Sequence, residues 1–407
     1  MAYQETTKTS YGQRLTGSVK SIATGFIMFI AATILLFWNE GNFVRTKKSI
    51  QEAEGAVVIL PDVSSVDPAY NGKLIHASAF ADTKDVLTDD IFGVSETAIA
   101  LKRDVEYYQW VEHSHSETKD KIGGGQETVT TYTYSKDWVS SPKESSQFHD
   151  PDYQRSNFVL TDINNKVERA KDVSFGVGGY KLPPFIISSI SGNEPVKIGM
   201  SEEQIQEWEK VIAEKMTSLG IRDDETQQMV RVSGNVVYFG SSTSTPHIGD
   251  VRVTLTKVMP ADISIIAKVI NNTFEVYKAK NGKTFSSVKM GTVSADNMFA
   301  DAHSENSTWT WILRLIGIIL VIGGLKSMFS ILPTLFKVLP FLGNVVGAGV
   351  GLVCGIVGGA WSLLVIAIAW LFYRPLIGIL LLAIVATLIW YLKKRAKEKK
   401  AKTAEGQ

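Results

Sequence analysis

Two histidines, His113 and His115, form the one close pair among the six in this chain, in the stretch "WVEHSHSETKD". On a strand, residues two apart share a face, so two imidazoles with acids nearby are the start of a metal site. A stable site needs a third ligand and usually a fourth. The local sequence supplies none at matching spacing, and two solvated side chains near a hairpin end are the plainer reading. Cys354 is the only cysteine, so no disulfide, CxxC or zinc cluster is expected within one chain. GxSxG, HExxH and phosphate-loop patterns are missing. The glycines of "SFGVGGY" (174–180) lack the strand-to-helix setting that cradles a phosphate. No cofactor is expected. An enzyme or metal-dependent sensor built on the histidine pair stands as the alternative to a non-enzymatic role.

The elements that would position these residues divide sharply by composition. Residues 19–38, "VKSIATGFIMFIAATILLFW", are long and apolar enough to span a bilayer. Trp38, Asn39 and Glu40 follow where a signal peptide would need small residues, so the segment reads as a retained anchor. Three further apolar runs follow at 309–330, 345–372 and 375–392, edged by Trp309, Trp311, Trp370, Tyr373, Trp390 and Tyr391 in the manner of interfacial aromatics. The sequence therefore predicts a multi-pass α-helical membrane protein with four transmembrane helices. Between the first two lies a large α+β, mainly antiparallel β, extracytoplasmic domain over 41–306. The short piece 331–344, bracketed by Pro333 and Pro340, is expected in the membrane interface or as an extension of a neighbouring helix.

Charge sets the expected orientation. Outside residues 41–306 there are 14 lysines and arginines against 4 acids, and within them 28 against 37. The tail at 393–407 opens with "KKRAKEKK" and should be cytoplasmic by the positive-inside rule. An even number of spans then places residues 1–18 on the same side and the acidic region on the other. Its acidity argues against nucleic acid as a partner. Of the ionisable residues in the apolar runs, Arg314 and Lys326 lie near the ends, where snorkelling to the interface is expected. No acid stands at mid-span, which disfavours a channel or transporter.

Gly343, Gly347, Gly351, Gly355 and Gly359 recur every fourth residue. In lipid, small residues let helix backbones approach closely, so this ladder reads as a packing groove. Its partner is either another span of the same chain or a second copy, and crosslinking through Cys354 on the same helix would separate the two. In the middle region, 98–115 and 127–141 read as a long hairpin turning at Gly123, Gly124 and Gly125. Strands are expected near 56–60, 73–81, 236–240, 250–258, 262–270 and 273–279. Ser201 and Gln204 make a capping box for a helix ending near Gly220.

Taken in order, "FWNEG", "LKRDVEYYQWVE", "YTYSKDW", "PHIGDVRV" and "AWLFYRPL" resemble the transmembrane protein 43 (LUMA) family over residues 20–392. The resemblance implies a four-span protein whose large domain faces the lumen in eukaryotes. It also implies residence in the endoplasmic reticulum and inner nuclear membrane there, or in the inner membrane of a bacterium. It further implies a role as a self-associating scaffold that gathers membrane proteins or lipids, with no enzymatic activity. The binding or assembly candidates are Tyr108, Gln109, Trp110, Trp138, Gly249, Asp250 and Arg252 in the domain, with Tyr373, Arg374 and Pro375 at the short turn. Arg374, a cation at the membrane surface, is expected to pair with a domain carboxylate or a lipid phosphate.

Overall fold

The structure, a computed structural model, describes residues 3–177, 179–221, 228–374 and 387. Six α-helices lie within the described residues: α1 (Tyr11–Ala56), α2 (Pro184–Ile187), α3 (Glu202–Ser218), α4 (Ala295–Met328), α5 (Ile331–Phe336) and α6 (Pro340–Tyr373). Of these, α1, α4 and α6 are long and apolar enough to cross a membrane. The fourth apolar run, 375–392, and the basic residues from 393 lie outside the described residues, apart from Thr387.

Helix α1 starts at Ser10, whose hydroxyl caps the Gln13 N–H in a reciprocal capping box. It then runs for 46 residues, about 69 Å at 1.5 Å per residue. No proline occurs before Pro61, so nothing breaks the helix where the apolar run stops at Trp38. Its polar continuation carries Ile50 and Ala53 into a core with Leu74, Ile266, Met298 and Phe299. Helix α4 mirrors this: capped by Ser294, it leaves the domain at Ala295 and becomes apolar only near Trp309. The domain is thus joined to the apolar bundle by two continuous helices.

Two large sheets and two two-stranded ones make up the domain among the described residues. In the first, strands run in the order Tyr3–Thr9, Gln126–Val139, Ala100–Asp120, Val251–Val258, Val236–Phe239 and Val230–Ser233. In the second, Leu74–Thr83 and Ala261–Ile270 are central. Every pairing is antiparallel except that of Val58–Ile59 with Leu74–Thr83. Alternation explains the layering. Val251, Val253 and Leu255 turn inward toward Ile212, Met216 and Trp208 of α3. Ile263, Ile265 and Ala267 bury against Phe175, Tyr180 and Ile186. The capping box at Ser201 starts α3 as its sequence predicts.

The hairpin forms in the register Tyr107↔Val139 through Asp120↔Gln126, with Gly123 and Gly124 at positive φ in its turn. Its first strand is 21 residues long, about 69 Å at 3.3 Å per residue. Residues 3–9, expected in a tail of their own, instead form its edge strand, Tyr3↔Tyr132 through Thr9↔Gln126. At the tip, the Asp120 carboxylate meets Arg14 at 2.8 Å and Lys337 at 3.1 Å, and the Gly123 N–H donates to the Val338 carbonyl at 3.0 Å. The ribbon therefore reaches the end of the bundle opposite the domain. The ribbon tip and the first turns of α1 are thus in contact at one end of the bundle. Serine, threonine and charged residues occupy both faces of the ribbon's outer half, and such a ribbon needs water or protein beside it.

Within the bundle, α1 and α4 are antiparallel and touch backbone to backbone at Gly25 and Gly324. A Cβ on Gly25 would lie 2.7 Å from the Gly324 carbonyl oxygen. Leu36 fills the notch at Gly317, and Gly358 of α6 sits against Ile322. The expected ladder divides. Gly343 abuts Lys337, Gly347 faces Pro333 and Gly351 faces Lys326, whereas Gly355 and Gly359 meet no atom within 4 Å among the described residues. The register that brings α6 onto α4 is carried by Gly358, one residue off the ladder. Cys354 is buried among Ala32, Val321 and Leu325, so it cannot report contact with a second copy. Pro340 occupies the first turn of α6, which starts there.

Gly25→Val should lower the stability of the purified chain by about 1–3 kcal/mol through overpacking. Gly355→Ala should be neutral or stabilise by up to about 1 kcal/mol through helix propensity. Thermal unfolding in one detergent checks both, and the reverse ranking would refute this account of the crossing.

Candidate functional site

The segments "FWNEG" and "WLFYR" stand more than 300 residues apart and meet at the domain-proximal end of the bundle. Asn39 and Glu40 follow the apolar stretch of α1 by one turn or less. Because α4 runs antiparallel to α1, Arg314 reaches the same depth from the other direction. Its guanidinium donates from Nε to Glu40 Oε1 at 2.5 Å and from Nη2 to Oε2 at 2.8 Å. The Trp370 indole of α6 donates to Oε2 at 2.8 Å. Asn39 donates to the Thr310 carbonyl at 3.1 Å. Above and beside the pair lie Trp311, 4.6 Å from the guanidinium, and Trp370, 5.8 Å from it.

Glu40 is 0 % and Arg314 8 % exposed. Arg314 therefore turns inward, and the expected snorkelling does not occur. A carboxylate held in an apolar bundle costs several kcal/mol unless it is paired and its remaining lone pairs are filled. The planar fork of arginine and one indole N–H do this. All three long helices donate a member, so the ion pair locks their relative depth. Next to it, Tyr373 lies against Gly41, where a Cβ would fall 2.5 Å from the ring, so a larger residue at this turn of α1 would displace the Tyr373 ring.

Arg374 stacks over Phe43 at 4.7 Å and Trp370 at 5.5 Å. The expected carboxylate partner is replaced by these rings, and its buried Nη2 has no hydrogen-bond partner among the described residues. Pro375 lies outside the described residues.

Most of the domain candidates gather on one sheet face, with Gln109 turned to the other. Tyr108 and Trp138 are paired across the hairpin, with ring centroids 5.2 Å apart. The Arg252 guanidinium lies 4.5 Å from the Trp138 ring centroid and bridges Glu106 at 2.7 Å. Asp250 is buried behind them, accepting from the Tyr238 hydroxyl at 2.6 Å and the His247 N–H at 2.8 Å. Burial drives the Asp250 carboxyl above its ordinary value despite these bonds. Burial, with the Asp250 bond second, also raises the Tyr238 phenol. Gly249, at φ +96°, has Phe158 where a Cβ would stand. Gln109 is buried, donating to the Phe158 carbonyl and accepting from the Lys143 N–H. Trp110 packs edge-on against Tyr153 at 4.8 Å, while Lys136 lies 4.9 Å from its ring centroid. His113 meets the Ser135 hydroxyl at 2.9 Å, and His115 lies 4.0 Å from Glu117. No group of three or more metal-ligating side chains occurs among the described residues.

Two features escaped sequence reasoning. The Glu40–Arg314 pair could have been found from opposite charges at matching depth on antiparallel spans. The second is local to the ribbon base. Glu112 accepts from the Tyr134 hydroxyl (2.6 Å), the His149 N–H (2.7 Å) and the His149 ring (2.9 Å). His149 stacks on Tyr132, and Tyr153 on Tyr134, so the loop "HDPDY" clasps the hairpin. Burial would raise the Glu112 carboxyl, but the three hydrogen bonds outweigh it and hold it below its ordinary value. Burial and the bond to Glu112 push the Tyr134 phenol up to about 12.

The family model described as Transmembrane protein 43 matches residues 107–375. Transmembrane protein 43 of Rattus norvegicus is 29 % identical over 391 residues, covering 93 % of this chain and 91 % of the relative. The Homo sapiens protein is 28 % identical, covering 95 % and 93 %. The Drosophila melanogaster homologue is 24 % identical, covering 91 % and 93 %. No solved structure matches.

Removing one partner of the buried pair, as in Arg314→Leu, should cost about 3–5 kcal/mol, and Glu40→Met added to it should restore much of the loss. Thermal unfolding of the two variants distinguishes a stranded charge from mere lost packing; a double variant no better than the single one would refute the stranded charge. The depressed Glu112 carboxyl contributes stability above its ordinary value of 4.5, and that contribution is lost as pH falls through the folded value. Glu112→Gln should therefore be less stable at neutral pH and lose less on acidification; an unchanged acid limb in a pH series of melting curves would contradict this.

Proposed function

Since the chain belongs to the transmembrane protein 43 family, we propose that it is a non-enzymatic membrane scaffold, self-associating through its spans and gathering membrane proteins or lipids through its β-rich domain. The observation that carries this reading is the pair of unbroken helices, α1 and α4, which fasten the domain core to the apolar bundle through the Glu40–Arg314 junction. A rigid mount of this kind suits a protein that holds a surface at a fixed height and angle above a bilayer. The half-buried Tyr108, Trp138 and Arg252 cluster offers that surface: aromatic and arginine side chains dominate interface energetics. The face of α6 bearing Gly355 and Gly359, flanked by exposed Leu352, Ile356 and Leu363, is the lateral contact. Small residues there let a second copy approach closely.

In this reading the bulk of the acidic domain is extracytoplasmic and the basic ends cytoplasmic, in the inner membrane of a bacterium or in the endoplasmic reticulum and inner nuclear membrane of a eukaryote.

Full-length chains carrying donor and acceptor fluorophores, reconstituted together in vesicles, should show energy transfer above that of a monomeric control. A Gly355→Leu, Gly359→Leu double variant should lose most of it. Energy transfer no greater than the control at any protein-to-lipid ratio would remove self-association from the proposal.

A further inference from the structure

A cleft of about 440 Å³ opens where the domain meets the bundle, between α1, α4 and the strand region 283–289. Its position along the helices is informative. On α1 it begins at Asn42, two residues beyond the buried Glu40; on α4 it ends at Trp309 and Leu313, where that helix becomes apolar. This is the depth of lipid headgroups when α1 and α4 cross a bilayer.

The lining changes character along this axis. Toward the domain it presents Lys283, Ser286, Ser287 and Thr46; toward the bundle it presents Trp309 and Leu313. The two ammonium groups in the cleft differ. Lys289 is engaged by Asp301 at 3.0 Å and Glu305 at 3.5 Å. Lys283 donates to the Asn42 side-chain oxygen at 2.6 Å and has no carboxylate within ion-pair distance among the described residues. It is half-buried, so it is a cation partly withdrawn from water without a counter-charge, at a place where phosphodiesters are the abundant anions. Below it Trp309, Leu313 and Ile316 stand at helical i, i+4, i+7 spacing on α4, and Trp309 and Ile316 are exposed.

We propose that this cleft binds the phosphate headgroup of an anionic phospholipid, with Lys283 and the neighbouring hydroxyls on the phosphate and an acyl chain lying along Trp309, Leu313 and Ile316. Charge-assisted hydrogen bonds from Lys283 supply the recognition, and the apolar stripe distinguishes a lipid from soluble phosphate. The proposal rests on α1 and α4 crossing the bilayer, as the proposed function does.

The full-length chain is reconstituted in phosphatidylcholine vesicles with and without about 20 % phosphatidylglycerol as the anionic component. Lipid retained per chain after detergent transfer is then counted by native mass spectrometry. Wild type should retain phosphatidylglycerol selectively. Lys283→Gln should weaken retention about tenfold, Lys283→Arg should keep it, and Trp309→Ala should weaken it through the apolar wall. Lys102→Gln, whose native lysine binds the Gly192 carbonyl in the domain, should behave as wild type. Undiminished retention in a folded Lys283→Gln chain overturns the proposal, as does displacement of the lipid by inorganic phosphate alone. Alkaline carbonate extraction separates the two layers of inference: a chain stripped from the vesicles refutes the membrane reading, whereas one that stays but retains no anionic lipid refutes the cleft alone.

Discussion

A carboxylate buried at the end of three apolar helices imposes more on this molecule than any other single group. Glu40 has no water to face, so its carboxylate oxygens must find their donors inside the protein. Arg314 from α4 and Trp370 from α6 supply them, and each can do so only if its helix stands at one depth and rotation. The close approach of Gly25 to Gly324, the seat of Tyr373 on Gly41 and the notch of Leu36 at Gly317 all belong to that same alignment. A buried ion pair is weak evidence of net stability, since an apolar replacement can do as well. Its stronger effect is on register: sliding one helix by a turn would strand a charge.

The sequence made much of this architecture legible where local chemistry decides it. Alternating apolar residues at 251–255 name their buried face, the Ser201 capping box starts α3, and the glycines at 123–125 turn the hairpin. Less legible were features fixed by contact between distant segments. The edge strand 3–9 is short and polar, and only its pairing with 126–132 makes it a strand. Glycine repeats from 343 to 359 as a ladder, yet Gly358, between two of its rungs, makes the tight contact with α4, because rotation about α6 is set by its neighbours and not by its own period. The polar extensions of α1 and α4 were hidden for a related reason: hydropathy marks the stretch that suits lipid, whereas helix ends are set by caps and prolines.

The ribbon sets a second constraint. Its three strands expose an unpaired edge and polar faces, which a hydrocarbon environment does not tolerate. Contacts at its tip with Arg14, Lys337 and Val338 nevertheless tie it to the far end of the bundle. Whatever lies beside it must be aqueous or proteinaceous through the whole depth of the apolar helices.

The absence of a hinge in α1 has a mechanical meaning. A bilayer that thickens or thins makes its spanning helices tilt to match. In a rod that passes without interruption from hydrocarbon into a folded core, such a tilt moves Ile50 and Ala53 together with the strands they pack on. The domain would lean as the lipid changes, turning membrane composition into orientation.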